Sequence, residues 1–301
     1  MVVDAVLLAL LAGALSGASN VWTRVGIGRV RDVDAASLTM IAVSFIVVGA
    51  IAASVTRQVP SLDDLWPYLV IGVFVPGLLT IAFIWAVREA GPSRTAVIIN
   101  TFPLFAATLA IIFLDEPLRV GLAVGTVLVV VGTIGIAAGA AAPADYRGAA
   151  FRLALGVMLI SAVVVGGRDA VVRWASEGQE ISSLVGAAIT MASGSATVLL
   201  YVVYRGIGVR PGLPTRIRRT LVPFAAIGAV AAANTMLIFE AFERGRVTVV
   251  SPLIGTAMLW TLVFSVLTFG RSEGLGRRLI ASALLVAGGV ALIGVTRGSG
   301  G

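Results

Sequence analysis

Ten stretches of the chain contain no Asp, Glu or Arg, and each is apolar over most of its length. A helix needs about 20 mostly apolar residues to cross the hydrocarbon core of a bilayer, and nine stretches reach or approach this length. Arg168-Asp169 cuts the sixth stretch short. We expect its helix to continue to Arg173, with both charged groups facing protein or water. The stretches are 5–23, 35–56, 65–87, 95–114, 120–144, 153–167, 181–204, 220–239, 247–270 and 279–296.

These stretches predict helices and not the strands of a membrane barrel. Barrel strands are segments of about ten residues in which apolar and polar positions alternate, whereas these stretches are continuously apolar. Pro76-Gly77, Pro103 and Pro252 fall inside stretches and predict kinks or local unwinding. No basic segment precedes the first stretch, so we interpret it as a membrane span and not a cleaved signal. The predicted fold class is an all-α integral membrane protein with ten transmembrane helices.

Composition agrees with a membrane protein and excludes several kinds of chemistry. Hydrophobic residues make up 58% of the chain and charged residues 12%, about half the charged share of a soluble domain. The chain has no Cys and no His, and all 22 of its cationic residues are Arg. These absences exclude disulfides, Cys or His metal sites, Cys/His nucleophiles, a P-loop lysine and a Schiff base. We therefore expect no cofactor and no metal site.

The two halves of the chain, residues 1–146 and 147–301, each contain five stretches, and short patterns recur in order in both. Asn20 aligns with Asp169, and Thr80 aligns with Thr235. Because five is an odd number, the second half must enter the membrane from the opposite side. We predict two inverted five-helix repeats, an architecture of secondary transporters whose substrate site lies near the midplane. The alternative is a chance alignment of apolar segments.

Several of these positions resemble the EamA-type duplicated transporters of the drug/metabolite transporter superfamily. The residues that carry the resemblance are Gly17-Ala-Ser-Asn20, Pro103, Leu114-Asp-Glu116-Pro-Leu118, Glu273 and the glycine-rich fifth and tenth stretches. The second half departs from the pattern because Pro252 precedes the expected proline position near Ala257. The resemblance implies export or exchange of small metabolites, amino acids or drugs, usually coupled to a proton or an exchanged substrate. It also implies cytoplasmic termini.

Glu240 is the first candidate for a coupling residue, since it directly follows the eighth stretch, 20 residues after the first residue of that stretch. Glu243 follows one helical turn later, and Asn234 and Thr235 precede it on the same helix. Two neighbouring carboxylates in a low dielectric favour proton binding by one of them. The alternative is that both are solvated at the membrane interface and pair with nearby arginines.

Arg168 and Asp169 are a second candidate pair, because a charged group inside a membrane raises the free energy of insertion and is therefore typical of a functional site. They either neutralise each other, or Arg168 holds a substrate carboxylate in a bidentate pair. The alternative is an interfacial salt bridge that ends the helix.

Uncharged polar residues within the stretches are candidates for lining a cavity, or alternatively bond neighbouring helices. These residues are Asn20, Thr80, Asn100, Asn234, Thr235, Ser251 and Thr256. Trp260 lies in the middle of its stretch and is interpreted either as a substrate platform or as a packing residue.

The arginines are distributed unevenly between the connections. The connections after stretches 1, 3, 5, 7 and 9 hold 15 of the 22, and the positive-inside rule places them in the cytoplasm and both termini outside. This contradicts the orientation that the resemblance implies. The 15 arginines are residues 24, 29, 31, 88, 94, 147, 152, 205, 210, 216, 218, 219, 271, 277 and 278.

Taken together, these patterns predict a secondary transporter of small molecules in the cell membrane, an exporter or exchanger, with proton coupling as one option. The expected partners are a small-molecule substrate and the lipid bilayer but no nucleic acid, and the chain is expected to be a monomer or homodimer. One alternative is an intramembrane enzyme, for which the chain offers no G-x-S-x-G motif and no His base. The other is a channel or membrane scaffold, which would not require an inverted repeat.

Overall fold

The computed structural model describes residues 2–29, 33–56, 61–90, 92–139, 148–178, 181–205, 213–269 and 277–296. Ten helices in these residues are long and apolar enough to cross a membrane. The predicted fold class is confirmed. The first repeat contains α1 (Val2–Arg29), α2 (Val33–Val55), α3 (Leu62–Gly72, Val73–Leu78 and Leu79–Ala90), α4a (Pro92–Ile99), α4b (Phe102–Phe113) and α5 (Val120–Gly139). The second contains α6 (Ala149–Gly178), α7 (Ser183–Tyr204), α8 (Leu213–Arg244), α9a (Val247–Ile254), α9b (Ala257–Phe269) and α10 (Arg277–Thr296).

The sixth helix runs without interruption through Arg168-Asp169, as expected. Its candidate span extends from Ala149 to Glu177. An adjacent pair of opposite charges can remain within a span because the two groups neutralise each other.

Three spans are irregular near the prolines that predicted kinks. Residues Val73–Leu78 of α3 form a kink, in which the Val75-Pro76 peptide bond is cis and Val75 leaves helical geometry, with φ −136° and ψ 106°. The fourth span is interrupted between Ile99 and Phe102, and the ninth between Ile254 and Ala257. Proline supplies no backbone N–H to the helix, so these segments have fewer internal hydrogen bonds. The interruptions of the fourth and ninth spans occupy equivalent places in the two repeats.

Close glycine contacts between helices occur in equivalent pairs. A Cβ atom added to Gly17 of α1 would lie 2.6 Å from Trp260 Cβ and 2.7 Å from Thr261 N of α9b. A Cβ atom added to Gly166 of α6 would lie 2.7 Å from Ala106 N of α4b. The offset that aligns Thr80 with Thr235 also aligns Ala106 with Thr261, so α1 packs on α9b as α6 packs on α4b.

A second equivalent pair joins the third and eighth helices to the second and seventh. A Cβ atom added to Gly72 of α3 would lie 2.2 Å from Thr190 O of α7. One added to Gly228 of α8 would lie 2.7 Å from Met40 O of α2. The fifth and tenth helices cross each other at Gly125 and Gly289. The same contacts are therefore made twice, which is the packing expected of a duplicated five-helix unit.

Candidate functional site

The two ends of the helix bundle are distinguished by their connections. The arginine-rich end carries the connections after α1, α3, α5, α7 and α9b, and the arginine-poor end carries the others. Among the described residues, most contacts that charged side chains make between helices lie at the arginine-poor end. Some of them join helices of the second repeat, and others join the two repeats.

Asp169 lies at the centre of one such contact and is completely buried. Ser251 Oγ of α9a donates a hydrogen bond of 2.6 Å to Asp169 Oδ2. Arg168 Nε donates to Asp169 Oδ1 at 2.9 Å, and the Arg168 guanidinium forms an ion pair with the same oxygen. These groups join α6 to α9a, so three of the predicted site residues lie together. Their geometry is that of a mutually neutralised ion pair.

Glu116, in the connection between α4b and α5, binds the N-terminus of α9a. Val247 N donates to Glu116 Oε1 at 2.7 Å, while Thr248 N and Thr248 Oγ1 donate to Oε2 at 3.0 and 2.6 Å. The first N–H groups of a helix have no partner within the helix, and a carboxylate there also interacts favourably with the helix dipole. Glu116 was not among the predicted site residues. Its acidic motif marks a connection but does not indicate which distant helix it binds.

Glu240 and Glu243 join α8 to the start of α7. Ser183 Oγ donates to Glu240 Oε2, and Ser183 N donates to Glu243 Oε2 at 3.1 Å. Arg244 forms an ion pair with Glu240, whose side chain is 31% exposed. Nearby, Arg173 Nη1 of α6 donates to Glu243 O of α8 at 2.8 Å. Glu240 therefore lies at the arginine-poor end, partly solvated and paired with an arginine. These are the surroundings expected if Glu240 is an interfacial residue and not a coupling residue.

The same helices pack differently at the arginine-rich end. At the arginine-poor end α6 packs on α8 and α9a, and α4b packs on α9a. The equivalent interfaces would join α1 to α3 and α4a, and α9b to α4a. None of these is extensive among the described residues; α4a packs instead on α3, α5 and α6, and α9b on α1 and α5.

Asn20 and Asp169 occupy equivalent positions, but their surroundings differ because the helices pack differently at the two ends. Asp169 is buried and accepts a hydrogen bond from Ser251. Asn20 is exposed, and its Nδ2 donates to Thr261 Oγ1 of α9b at 3.1 Å. The offset that aligns Thr80 with Thr235 places Ala96 of α4a at the position of Ser251. At the arginine-poor end α6 is thus in contact with α9a. At the arginine-rich end the equivalent helices, α1 and α4a, have no comparable interface among the described residues.

A group of uncharged polar and aromatic side chains lies between α1, α8 and α9b. Asn234 Nδ2 donates to Ser16 Oγ at 3.0 Å, and within the described part of the chain the buried Asn234 Oδ1 has no hydrogen-bond partner. Trp260 stacks on Phe264 with ring centroids 5.9 Å apart and an interplanar angle of 26°. Ser16 and Asn20 lie one helical turn apart on α1, so the contacts with Asn234 and Thr261 share one polar face of α1. This face includes the buried acceptor Asn234 Oδ1.

Four other predicted site residues bond to the backbone of their own helix. The side-chain donors of Asn100 and Thr256 bind Ala96 O and Leu253 O, both at 2.6 Å, beside the interruptions of the fourth and ninth spans. Thr235 Oγ1 donates to Ala231 O at 2.9 Å and lies 4.0 Å from Met191 Sδ of α7.

Thr80 Oγ1 donates to Pro76 O at 2.6 Å, and Thr80 also faces a small pocket between α2, α3 and α7. The pocket lies away from the face formed by α1, α8 and α9b. Sequence patterns did not single out the charged residues of this pocket, Asp34 and Arg205, because charges at helix ends are expected in any membrane protein. Glu273, which carries part of the resemblance, lies outside the described residues, as does the boundary near residue 147.

Comparison with known proteins agrees with this architecture. The EamA-like transporter family matches residues 4–138 and 152–295. A solved crystal structure superimposes with a TM-score of 0.75 and 18% sequence identity, over 97% of this chain and 98% of the other. Curated proteins give no match. The likeness to the solved structure shows the fold alone, but the family match covers well over half of the sequence. The chain therefore belongs to the EamA-like transporter family.

Proposed function

We propose that this protein is a secondary transporter that moves a small metabolite, amino acid or drug-like solute by alternating access. The observation that carries the proposal is a difference in burial at equivalent positions of the two repeats. Asp169 is completely buried, whereas Asn20 is exposed. Inverted repeats allow each end to adopt the helix arrangement of the other, because equivalent helices are present at both ends.

Exchange of the two conformations would move specific helices. At the arginine-rich end, α1 would close on α4a. At the arginine-poor end, α6 would separate from α9a and expose Asp169 and Ser251. The interruption at Gly255-Thr256 supports such a movement, because it divides the ninth span into two shorter helices that can tilt separately.

The solute site that best fits this scheme is the polar face between α1, α8 and α9b. Asn20 offers an exposed amide, Asn234 Oδ1 offers a buried acceptor, and Trp260 adds an aromatic surface. A buried acceptor without a partner is unfavourable, so a solute N–H or O–H donor bound there would gain a hydrogen bond. These features support a small polar solute with at least one donor group.

Solute flux into proteoliposomes tests the proposal directly. We expect saturable uptake of one class in a panel of metabolites and toxic analogues, together with counterflow, which is uptake driven by unlabelled solute inside the vesicles. Flux without counterflow would indicate a channel and contradict alternating access. Absence of saturable flux across the panel would contradict transport of these solutes.

Thiol labelling tests the two-state scheme, because the chain contains no Cys. Asn20→Cys should react with an impermeant thiol reagent from the arginine-rich side only. Ser251→Cys is buried and should react from the arginine-poor side at a rate that changes when solute is added. Labelling of both positions from the same side would contradict the scheme.

We also propose that the arginine-rich end faces the cytoplasm. The arginine side chains described there, Arg152, Arg205, Arg218, Arg277 and Arg278, are all exposed. At the other end Arg246 is exposed as well, but the other four described arginines, Arg119, Arg168, Arg173 and Arg244, each donate to a carbonyl or pair with a carboxylate. Exposed arginines resist translocation and bind anionic headgroups, whereas neutralised arginines act more weakly. The termini would then be external.

A further inference from the structure

The pocket between α2, α3 and α7 contains two opposite charges at its outer rim. Asp34 lies in the first turn of α2, and Arg205 caps the C-terminus of α7. Among the described residues, neither forms an ion pair with the other or with any third group. The signs of these charges suit the dipoles of their own helices, which explains the residue types. Both groups still face the same pocket and can bind a ligand.

The rim also has hydroxyl and aromatic groups. Ser37 lies one turn after Asp34 on α2, and Trp85 approaches from α3. The guanidinium of Arg205 lies 5.9 Å from the ring centroid of Tyr201, over the face of the ring. Arg205 therefore covers one face of the Tyr201 ring, and the carboxylate and hydroxyl acceptors of α2 favour an ammonium with N–H donors.

The inner wall of the pocket is apolar. Ile81 and Ile84 of α3 face Val198 and Val202 of α7, and Thr80 lies among them. Since α2 begins and α7 ends at the rim, the charged groups lie near the level of lipid headgroups and the apolar wall lies deeper in the membrane. The pocket, about 80 Å³ in volume, is thus polar outside and apolar inside.

We propose that this pocket binds a zwitterionic phospholipid whose headgroup carries a primary ammonium. Arg205 binds the phosphate, because a guanidinium matches phosphate oxygens in geometry and charge. Asp34 and Ser37 accept hydrogen bonds from the ammonium, and the apolar wall contacts the first carbons of an acyl chain. Binding at this site does not depend on the solute or on the direction of transport.

Lipid binding to the purified full chain, measured by native mass spectrometry, tests the site. The probes are phosphatidylethanolamine, phosphatidylcholine and phosphatidylglycerol with identical acyl chains. We expect phosphatidylethanolamine to bind about fivefold more tightly than phosphatidylcholine, the size of effect that one hydrogen-bonded charge pair produces. Asp34→Asn should remove this preference, and Arg205→Gln should weaken binding of all three lipids. Arg278→Gln is the matched control, because Arg278 is exposed at the same end but lies outside the pocket.

Equal affinity for phosphatidylethanolamine and phosphatidylcholine in the unaltered protein would overturn the proposal. A preference that survives Asp34→Asn would also overturn it. Free phosphoethanolamine distinguishes the source of the headgroup, and binding as tight as that of the lipid would overturn the lipid assignment. The thermal unfolding midpoint of each variant is measured as well. If it equals that of the unaltered protein, any loss of lipid binding is due to the pocket and not to unfolding.

Discussion

Asp169 and Glu240 are both acidic residues of the arginine-poor end, but they have different access to solvent. Asp169 is completely buried between α6 and α9a, whereas Glu240 is 31% exposed and paired with Arg244. A coupling carboxylate must meet water on one side of the membrane and then on the other. In the proposed exchange of conformations, only separation of α6 from α9a exposes Asp169, so it is the better candidate for proton coupling.

Neutralising Asp169 should therefore uncouple transport from a pH gradient. We expect Asp169→Asn to lose pH-gradient-driven solute accumulation while retaining counterflow, whereas Glu240→Gln retains both activities. Proteoliposome uptake with and without a pH gradient measures the difference. The double variant Arg168→Gln/Asp169→Asn removes both charges and shows whether an unpaired arginine causes any loss of folding. Loss of gradient-driven uptake in Glu240→Gln but not in Asp169→Asn would reverse the assignment.

The candidate site could be predicted from the sequence only in part, and the reason is visible at individual residues. Arg168, Asp169 and Asn20 are conspicuous because polar groups inside an apolar span need a partner. Glu116 belongs to a recognisable acidic motif, but its role could not be predicted, because its partner is the start of a helix 131 residues away. Which distant backbone groups a carboxylate meets is determined by helix packing, and no local pattern encodes it.

At the scale of the helix, glycines set how closely the two repeats approach each other. We expect Gly17→Ala and Gly166→Ala each to lower the free energy of unfolding by about 1–3 kcal/mol, because the new methyl group would meet backbone atoms of α9b and α4b. Gly156→Ala is the matched control, since an added Cβ there meets nothing within 4 Å. It should be neutral or stabilise α6 by up to about 1 kcal/mol. Thermal unfolding in detergent measures all three.

The N-terminus of α9a should depend on Glu116. Glu116→Gln replaces one carboxylate oxygen with an amide N–H₂ group that faces backbone donors, so we expect a loss of about 1–3 kcal/mol in unfolding free energy. Asp115→Asn is the control: Asp115 is exposed and has φ 51°, a conformation that Asn tolerates. If both variants unfold at the same temperature as the unaltered protein, Glu116 does not stabilise α9a.

The helices themselves could be predicted well from the sequence, because charge-free apolar stretches of spanning length have few other stable structures in a membrane. The interruptions were harder to place. Pro252 lies inside α9a, and the helix ends at Ile254 only after it. A missing N–H weakens a helix locally, but tertiary packing decides which nearby peptide group leaves helical geometry.

Orientation belongs to the whole molecule and can be measured with single cysteines. Tyr204 at the arginine-rich end is 89% exposed, and Leu118 at the arginine-poor end is 70% exposed. In intact cells, an impermeant thiol reagent should label Leu118→Cys, whereas Tyr204→Cys should react only after permeabilisation. The reverse pattern would place the termini in the cytoplasm and the arginine-rich end outside the cell.

The glycine contacts also have a consequence for biosynthesis. Gly17, Gly72 and Gly125 belong to the first five helices, yet each meets its close partner in the last five. A ribosome completes the first half while those partners are still unmade, so these surfaces must face lipid, an insertase or a neighbouring nascent chain. The two halves therefore depend on each other like the subunits of an obligate dimer, although they belong to one polypeptide. Co-translational quality control would recognise a truncated chain by the same unpaired faces.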